Sequence, residues 1–306
     1  MNQEMVEVLV VGAGPAGLQA ALHAARKKVS VLVLGRPESS SIAAAHVENY
    51  LGVPGVVSGA DLLAVGLAQV RKFGAEVLAE DVLHLAQEGE VFAIRTESRE
   101  IRAASVIIAT GTARKKLKVP GEKELAGRGV SYCVDCDANF FRNAKVAVVG
   151  DGSAAVDGAL TLTGYASEVY LISRELAVTA ELAAKLAGSS VQLLTGSWVK
   201  EIVGAQAVTG LLLEDGRTLA VEGVFVELGA KGAMELAVNV GVQMDTETFT
   251  HIATDRKQAT NIPGIYAAGD IAGHPYQMAK AVGEGCVAGL EAANYARQNR
   301  RGSAGG

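Results

Sequence analysis

The chain has 306 residues, 49% of them hydrophobic, with 36 glycines and only three cysteines. That length holds about two domains of ~150 residues, and the apolar and glycine content suits a globular α/β protein with large cores; so few cysteines exclude a disulfide framework and fit a reducing, cytoplasmic compartment. A net charge of −5 gives no sign of nucleic acid, the acidic start does not read as a signal peptide, and no apolar run reaches the ~18 residues of a membrane helix.

Residues 6–11 (VEVLVV) read as a buried parallel strand. Gly12-Ala13-Gly14-Pro15-Ala16-Gly17 follows, then a helical pattern over 18–26 and a second apolar strand over 29–34. Strand, G-x-G-x-x-G, helix, strand is the context in which the motif signals a dinucleotide loop. Gly12 permits the tight turn, Gly14 lets backbone approach a pyrophosphate, and Gly17 lets helix and strand pack closely, with the helix N-terminus facing the phosphates. Where an acid should receive the ribose hydroxyls stand Gly35 and Arg36, with Glu38 the nearest carboxylate; Arg36 is a candidate to lie beside an adenosine phosphate.

Residues 39–59 read as a loop over the cofactor containing Val47-Glu48-Asn49-Tyr50, followed by a helix over 61–73. Short strands follow at 76–78, 82–85, 91–95 and 105–108, three of them forming a meander. Ala109-Thr110-Gly111 and Val119-Pro120-Gly121-Glu122 mark a first domain boundary near Arg114. Beyond it the βαβ pattern repeats: a strand over 145–149, the loop Gly150-Asp151-Gly152-Ser153-Ala154-Ala155, a helix over 156–163 and a strand over 168–172. Only strands are expected from there to Val226, then a surface stretch over 229–232. The strand before Ala268-Gly269-Asp270, a helix over 276–293 and a polar, disordered tail from Arg300 close the chain.

Between the two glycine loops lies Ser131-Tyr132-Cys133-Val134-Asp135-Cys136-Asp137. Cys-x-x-Cys brings two thiols within reach of one small disulfide, whose state depends on thiolate acidity and redox poise. The carboxylate directly after it can exchange a proton with an attacking or leaving thiol. Half of a zinc site is also Cys-x-x-Cys, but only Cys286 and scattered histidines remain to complete it, so no metal is expected. Asp135 either points inward and opposes thiolate formation by like charge or faces solvent and selects a partner. Cys286 and Trp198 read as packed core residues, and Phe140 and Phe141 as packing beneath the disulfide loop.

Taken together, the loop Gly12 to Gly17, Ala109-Thr110-Gly111, Cys133-x-x-Cys136-Asp137 and Ala268-Gly269-Asp270 resemble the low-molecular-weight thioredoxin reductases over nearly the whole chain. The resemblance implies an α/β fold of two Rossmann-like three-layer domains in a cytoplasmic homodimer. A discontinuous FAD domain (1–113 and 239–306) would carry an inserted pyridine-nucleotide-like domain (114–238). It further implies Cys136 as the flavin-facing thiol, Cys133 as the attacker of a thioredoxin disulfide and Asp137 as the acid/base. FAD contacts would come from Gly12, Gly14, Pro15, Ala16, Gly17, Asn49, the backbone at Val82, Gly269, Asp270 and Gln277. Domain rotation would use hinges at 114–118 and 229–232.

The chain departs from that pattern where the NADPH enzymes grip the 2′-phosphate with His-Arg-Arg and a later Arg: here stand Ser173, Arg174, Glu175 and Thr179. Asp151 lies within the second glycine loop, and a carboxylate ~5 Å from one phosphate charge costs up to ~3 kcal/mol at an effective dielectric of ~20, roughly a hundredfold in affinity. NADPH is therefore not expected. Glu175 stands near the ribose-binding acid of an NAD-type loop, which keeps NADH open. The segment 275–285, with Tyr276 where an arginine commonly precedes the glutamine, resembles the ferredoxin-dependent flavin thioredoxin reductases and favours ferredoxin; Arg26-Lys27-Lys28 and the basic run 114–118 are candidate docking patches. A small-molecule dithiol oxidase and a flavin-bound redox sensor are the competing functions.

Overall fold

A computed structural model describes residues 4–112, 115–246 and 250–303. The chain divides into two compact units, Met1–Ala113 with Leu236–Gly306, and Arg114–Glu235. Arg114, where the sequence places the first boundary, lies outside the described residues, as does the end of the tail beyond residue 303.

The first unit opens with β1 (Glu4–Val11), α1 (Pro15–Arg26), β2 (Val31–Leu34), the short pair β3 (His46–Val47) and β4 (Val57–Ser58), α2 (Gly59–Lys72), β5 (Glu76–Leu78), β6 (Val82–Glu88), β7 (Val91–Thr96) and β8 (Glu100–Ile108). Val8, Leu9 and Val10 have no exposed surface, because β1 sits mid-sheet with both faces covered, which is why residues 8–11 read as an unbroken apolar run. It runs parallel to β2 and to β8, with Val8 opposite Val31 and Ser105. β6, β7 and β8 form the expected antiparallel meander.

The second unit holds β9 (Val130–Ser131), α3 (Val134–Asp137), β10 (Lys145–Val149), α4 (Ser153–Leu162), β11 (Glu168–Ser173), α5 (Ala180–Ala187), β12 (Gln192–Thr195), β13 (Val199–Gly204), β14 (Val208–Leu213), β15 (Thr218–Leu219) and β16 (Gly223–Val226). Its parallel sheet has the order β12-β11-β10-β16-β9, and β13 to β15 make a separate antiparallel sheet. Helix α5 corrects the expectation of strands alone up to Val226. Thr179 caps it by accepting a hydrogen bond from the Leu182 amide at 3.3 Å, ahead of the helix-forming run AELAAKLA.

The chain closes with α6 (Ala233–Asn239), β17 (Ile265–Ala267), parallel to β8, and α7 (Met278–Ser303). α7 runs on to Ser303, into the start of the segment expected to be a disordered tail, since no glycine or proline interrupts residues 290–301. It packs backbone to backbone on α1: a Cβ at Gly285 would lie 2.2 Å from the Ala16 carbonyl oxygen, and one at Gly289 2.2 Å from that of Ala20. Cys286 between them is only half-buried, not the fully packed thiol expected. None of the described helices is long and apolar enough to cross a membrane. Both units are thus Rossmann-like α/β folds.

Candidate functional site

In the first unit, motifs far apart in sequence converge. Gly12, at φ 112°, has no room for a side chain, because a Cβ would lie 2.4 Å from the Ala109 carbonyl oxygen; the glycine loop and Ala109-Thr110-Gly111 are therefore in contact. Gly269 packs against Ala16, where a Cβ would meet the alanine Cβ at 2.9 Å. Asn49 donates to the Gln277 side-chain oxygen at 3.1 Å. The N-cap of α1 is Gly14 and Pro15 stands in the first turn, so no side chain caps the helix and its leading amides point outward uncapped. Val82 opens β6, buried beside a register shift between Val82 and His84.

The turn at Gly269-Asp270 is held from α7. Lys280 Nζ donates to the carbonyls of Gly269 (2.9 Å) and Gly273 (2.5 Å), and Glu284, paired with Lys280 at 3.0 Å, accepts from the Gly269 amide at 2.9 Å. The Asp270 carboxylate accepts no hydrogen bond among the described residues, and burial pushes its pKa up against the pull of Lys280. An uncapped helix N-terminus, a glycine-lined approach and a carboxylate wanting a donor fit a dinucleotide pyrophosphate with a hydroxylated chain beside it, as FAD would present. Tyr276, next to Gln277, places its hydroxyl 2.6 Å from His251 Nε2 and stacks on His274 at 4.0 Å. Arg36 departs from its expected place beside an adenosine phosphate: its guanidinium pairs with Asp81 and grips both Glu97 oxygens at 3.0 and 3.1 Å.

In the second unit Cys133 and Cys136 form a disulfide with Cα atoms 5.3 Å apart. Cys133 is 5% exposed, whereas Cys136 is exposed. Cys133 sits at the N-cap of α3, and the Cys136 amide lies 3.1 Å from its sulfur, a placement that favours negative charge there. Buried Ser131 organises the loop: its hydroxyl donates to Asp137 Oδ2 at 2.6 Å and accepts from the Cys133 amide at 3.1 Å. Sequence reasoning gave Ser131 no role, although serine two residues before a turn is a familiar side-chain-to-backbone device. Phe141 does pack inward, edge-on to Phe225 at 5.1 Å, but Phe140 is 82% exposed rather than beneath the loop. Trp198 is buried as expected.

Asp135 does not face solvent, the second of its two expected placements: its side chain is 15% exposed. It is paired with Lys231 Nζ at 2.8 Å, and the same nitrogen reaches Asp157 Oδ2 of α4 at 3.1 Å. Lys231 is 4% exposed, which corrects the reading of 229–232 as a plain surface stretch. Burial opposes its charge, yet the two carboxylates outweigh that and hold its pKa above the ordinary lysine value.

The second glycine loop is tied up by its own acid. Asp151 Oδ1 accepts from the Ser173 hydroxyl and the Arg174 amide, both at 2.8 Å, where β11 ends. The Arg174 guanidinium lies over the Trp198 ring, 4.5 Å from its centroid, and reaches Glu214 at 3.5 Å. Thr179 is spent as the α5 cap.

The family model described as pyridine nucleotide-disulphide oxidoreductase matches residues 6–285. The thioredoxin reductase of Listeria monocytogenes is 35% identical, covering 97% of this chain and 96% of its own. Among solved structures, the atypical thioredoxin reductase TRi from Desulfovibrio vulgaris Hildenborough superposes with a TM-score of 0.83 at 33% identity, covering 96% and 98% of the two chains. A ferredoxin-flavin thioredoxin reductase from Clostridium acetobutylicum superposes with a TM-score of 0.69 at 34% identity, covering 97% and 100%.

Proposed function

Because this chain belongs to the pyridine nucleotide-disulphide oxidoreductase family and is a flavin-linked thioredoxin-disulfide reductase with a redox-active Cys133–Cys136 pair, we propose that its electrons come from a donor other than NADPH, with ferredoxin favoured. The observation that supports this is the Asp151 carboxylate, fastened to Ser173 and Arg174 at the end of β11. A pyridine nucleotide laid on this loop would bring its phosphates toward a fixed negative charge. The one arginine left to answer that charge is already stacked on Trp198.

FAD, when bound, supplies a two-electron carrier matched to a disulfide. We read the discontinuous unit as its domain: the uncapped amides of α1 would receive the pyrophosphate, Asp270 would accept from a hydroxyl of the ribityl chain, and Asn49 and Gln277 would contribute polar contacts to the flavin. The inserted unit carries the disulfide. Two electrons and one proton open the Cys133–Cys136 bond to one thiol and one thiolate. The thiolate attacks the disulfide of a thioredoxin-like protein and forms a mixed disulfide. Asp137, oriented by Ser131, takes the proton of the remaining thiol and passes it to the partner sulfur that leaves. The second thiolate then closes the Cys133–Cys136 bond and releases the reduced partner. The resemblance gives the attack to Cys133; since Cys136 is the exposed sulfur, that role requires Cys133 to be uncovered on reduction. A cytoplasmic homodimer completes the reading.

Ferredoxins are acidic, and docking one calls for exposed positive charge. Arg26 and Lys28 in one unit, and Lys115, Lys116 and Lys118 in the other, supply it. NADH is the second reading, kept by Glu175, which stands exposed just past β11 where a ribose acid would be. Anaerobic mixing of the FAD-loaded protein with NADPH, NADH and reduced ferredoxin, following flavin absorbance, separates the three. Ferredoxin should bleach the flavin faster than NADPH at equal concentration, the Asp151 charge weakening NADPH binding by up to ~100-fold. Bleaching by NADPH within the mixing time would overturn the proposal.

A further inference from the structure

An acid between two redox cysteines is a poor neighbour for a thiolate. Reduction of the Cys133–Cys136 bond takes two electrons and one proton and leaves a net negative charge on sulfur, and Asp135 stands directly before Cys136 and two residues after Cys133. Left alone it would oppose that charge and favour the disulfide. The structure shows what offsets part of this. Lys231, 96 residues away in sequence, is brought under α3 with its side chain only 3% exposed, its ammonium 2.8 Å from Asp135 and 3.1 Å from Asp157. A lysine is rarely buried to this extent unless paired. α3 is seated on α4 at the same place, since Gly158, next to Asp157, leaves room for Val134: a Cβ there would lie 2.9 Å from Val134 Cγ2. The acid, the cation and the second acid therefore link the redox helix, the loop after β16 and α4.

We propose that Lys231 is a positioning residue of the redox centre, setting the thiol–disulfide equilibrium of Cys133 and Cys136 through Asp135. One lysine against two aspartates leaves the triad with a net charge of about −1. Substituting Lys231 by methionine takes it toward −2; substituting Asp135 by asparagine takes it to zero while leaving the Lys231–Asp157 pair intact. The two changes act on the equilibrium in opposite directions. A merely structural role would not produce that: loosening α3 from either side would move it the same way or not at all.

The inference rests on the redox-active disulfide but not on the identity of the donor, because a small dithiol supplies the electrons in its test. The FAD-loaded full chain, as wild type, Lys231→Met and Asp135→Asn, is equilibrated anaerobically in dithiothreitol buffers of stepped oxidised-to-reduced ratio. The thiols are trapped by alkylation and counted at residues 133 and 136. Lys231→Met should shift the equilibrium constant toward the disulfide by about tenfold, a potential ~30 mV more negative, and Asp135→Asn should shift it toward the dithiol by at least threefold. Should Lys231→Met not fold, the Asp135→Asn shift decides alone. Shifts of the same sign, or an Asp135→Asn shift below threefold or toward the disulfide, overturn the proposal.

Discussion

Replacing Ser131 by alanine tests whether the proton-handling carboxylate is held in place or merely nearby. The hydroxyl has one proton, and the 2.6 Å contact to Asp137 Oδ2 claims it ahead of the 3.3 Å contact to the Cys133 carbonyl. Its lone pair takes the Cys133 amide at 3.1 Å. The alanine variant loses a hydrogen bond to a charged group, worth ~1.5–3 kcal/mol, and orphans a buried amide at ~1–3 kcal/mol. Asp137 is only partly buried and can rehydrate, so the combined loss of stability should lie near ~2–3 kcal/mol. If orientation of Asp137 supplies a factor of about 10 to 30 within the ~10²–10⁴-fold advantage of general acid–base catalysis, the rate of thioredoxin reduction falls by that factor, or ~1.4–2 kcal/mol in activation free energy. The assay is anaerobic single turnover of the pre-reduced enzyme with oxidised thioredoxin, run for Ser131→Ala, Asp137→Asn and the double variant. Ser131→Ala should cost less than ~0.5 kcal/mol in the Asp137→Asn background, because the two act as one device. Additive effects, or a full rate with lowered stability alone, would refute the reasoning.

Three other outcomes are expected. Gly158→Ala forces a Cβ to within 2.9 Å of Val134 Cγ2 and should lower stability by ~1–3 kcal/mol, read as a lower urea midpoint, with slower thiol–disulfide exchange. Asp270→Asn should stabilise the FAD-free protein at neutral pH, since the folded state raises the carboxyl's pKa and so disfavours its charged form above the unfolded value, while FAD affinity measured by fluorescence titration falls. Stability should also drop on the alkaline side. Burial, then Glu291 and other neighbours, push Tyr266 up to about 12 from 10.0, so its contribution is complete below the unfolded value and lost between the two. Lys231 likewise contributes below its ordinary 10.5 and loses that as pH rises through its higher folded value. Urea midpoints followed from roughly pH 8 to pH 12 should fall above ~10, and less steeply in Lys231→Met.

What could be read ahead was local. Gly12 to Gly17 between two apolar strands, and Cys133 with Cys136, carry their chemistry in spacings of a few residues, so dinucleotide loop and disulfide were both visible in order. What stayed hidden depends on direction or distance. Asp151 could point away from the loop or be held on it, and only its bonds to the Ser173 hydroxyl and the Arg174 amide, both at 2.8 Å, decide. Arg36 looked unpartnered because Asp81, just before β6, and Glu97, just after β7, are 45 and 61 residues away in sequence. Lys231 looked like surface because nothing within several residues of it marks a buried cation. Helix α5 was the one regular element with a legible signal left unread, the Thr179 cap before an alanine- and leucine-rich run.

The glycine seam that seats α7 on α1 has a bearing on how the protein is made. β17 joins β8, and Gly285 and Gly289 meet the carbonyls of Ala16 and Ala20, so the N-terminal βαβ cannot bury its outer face until α7 has been translated. The inserted unit emerges whole before that. On the ribosome, the disulfide-bearing piece can therefore fold while the nucleotide cradle still waits for its closing helix, and a chain released short of residue 285 would carry thiols but hold its cofactor poorly.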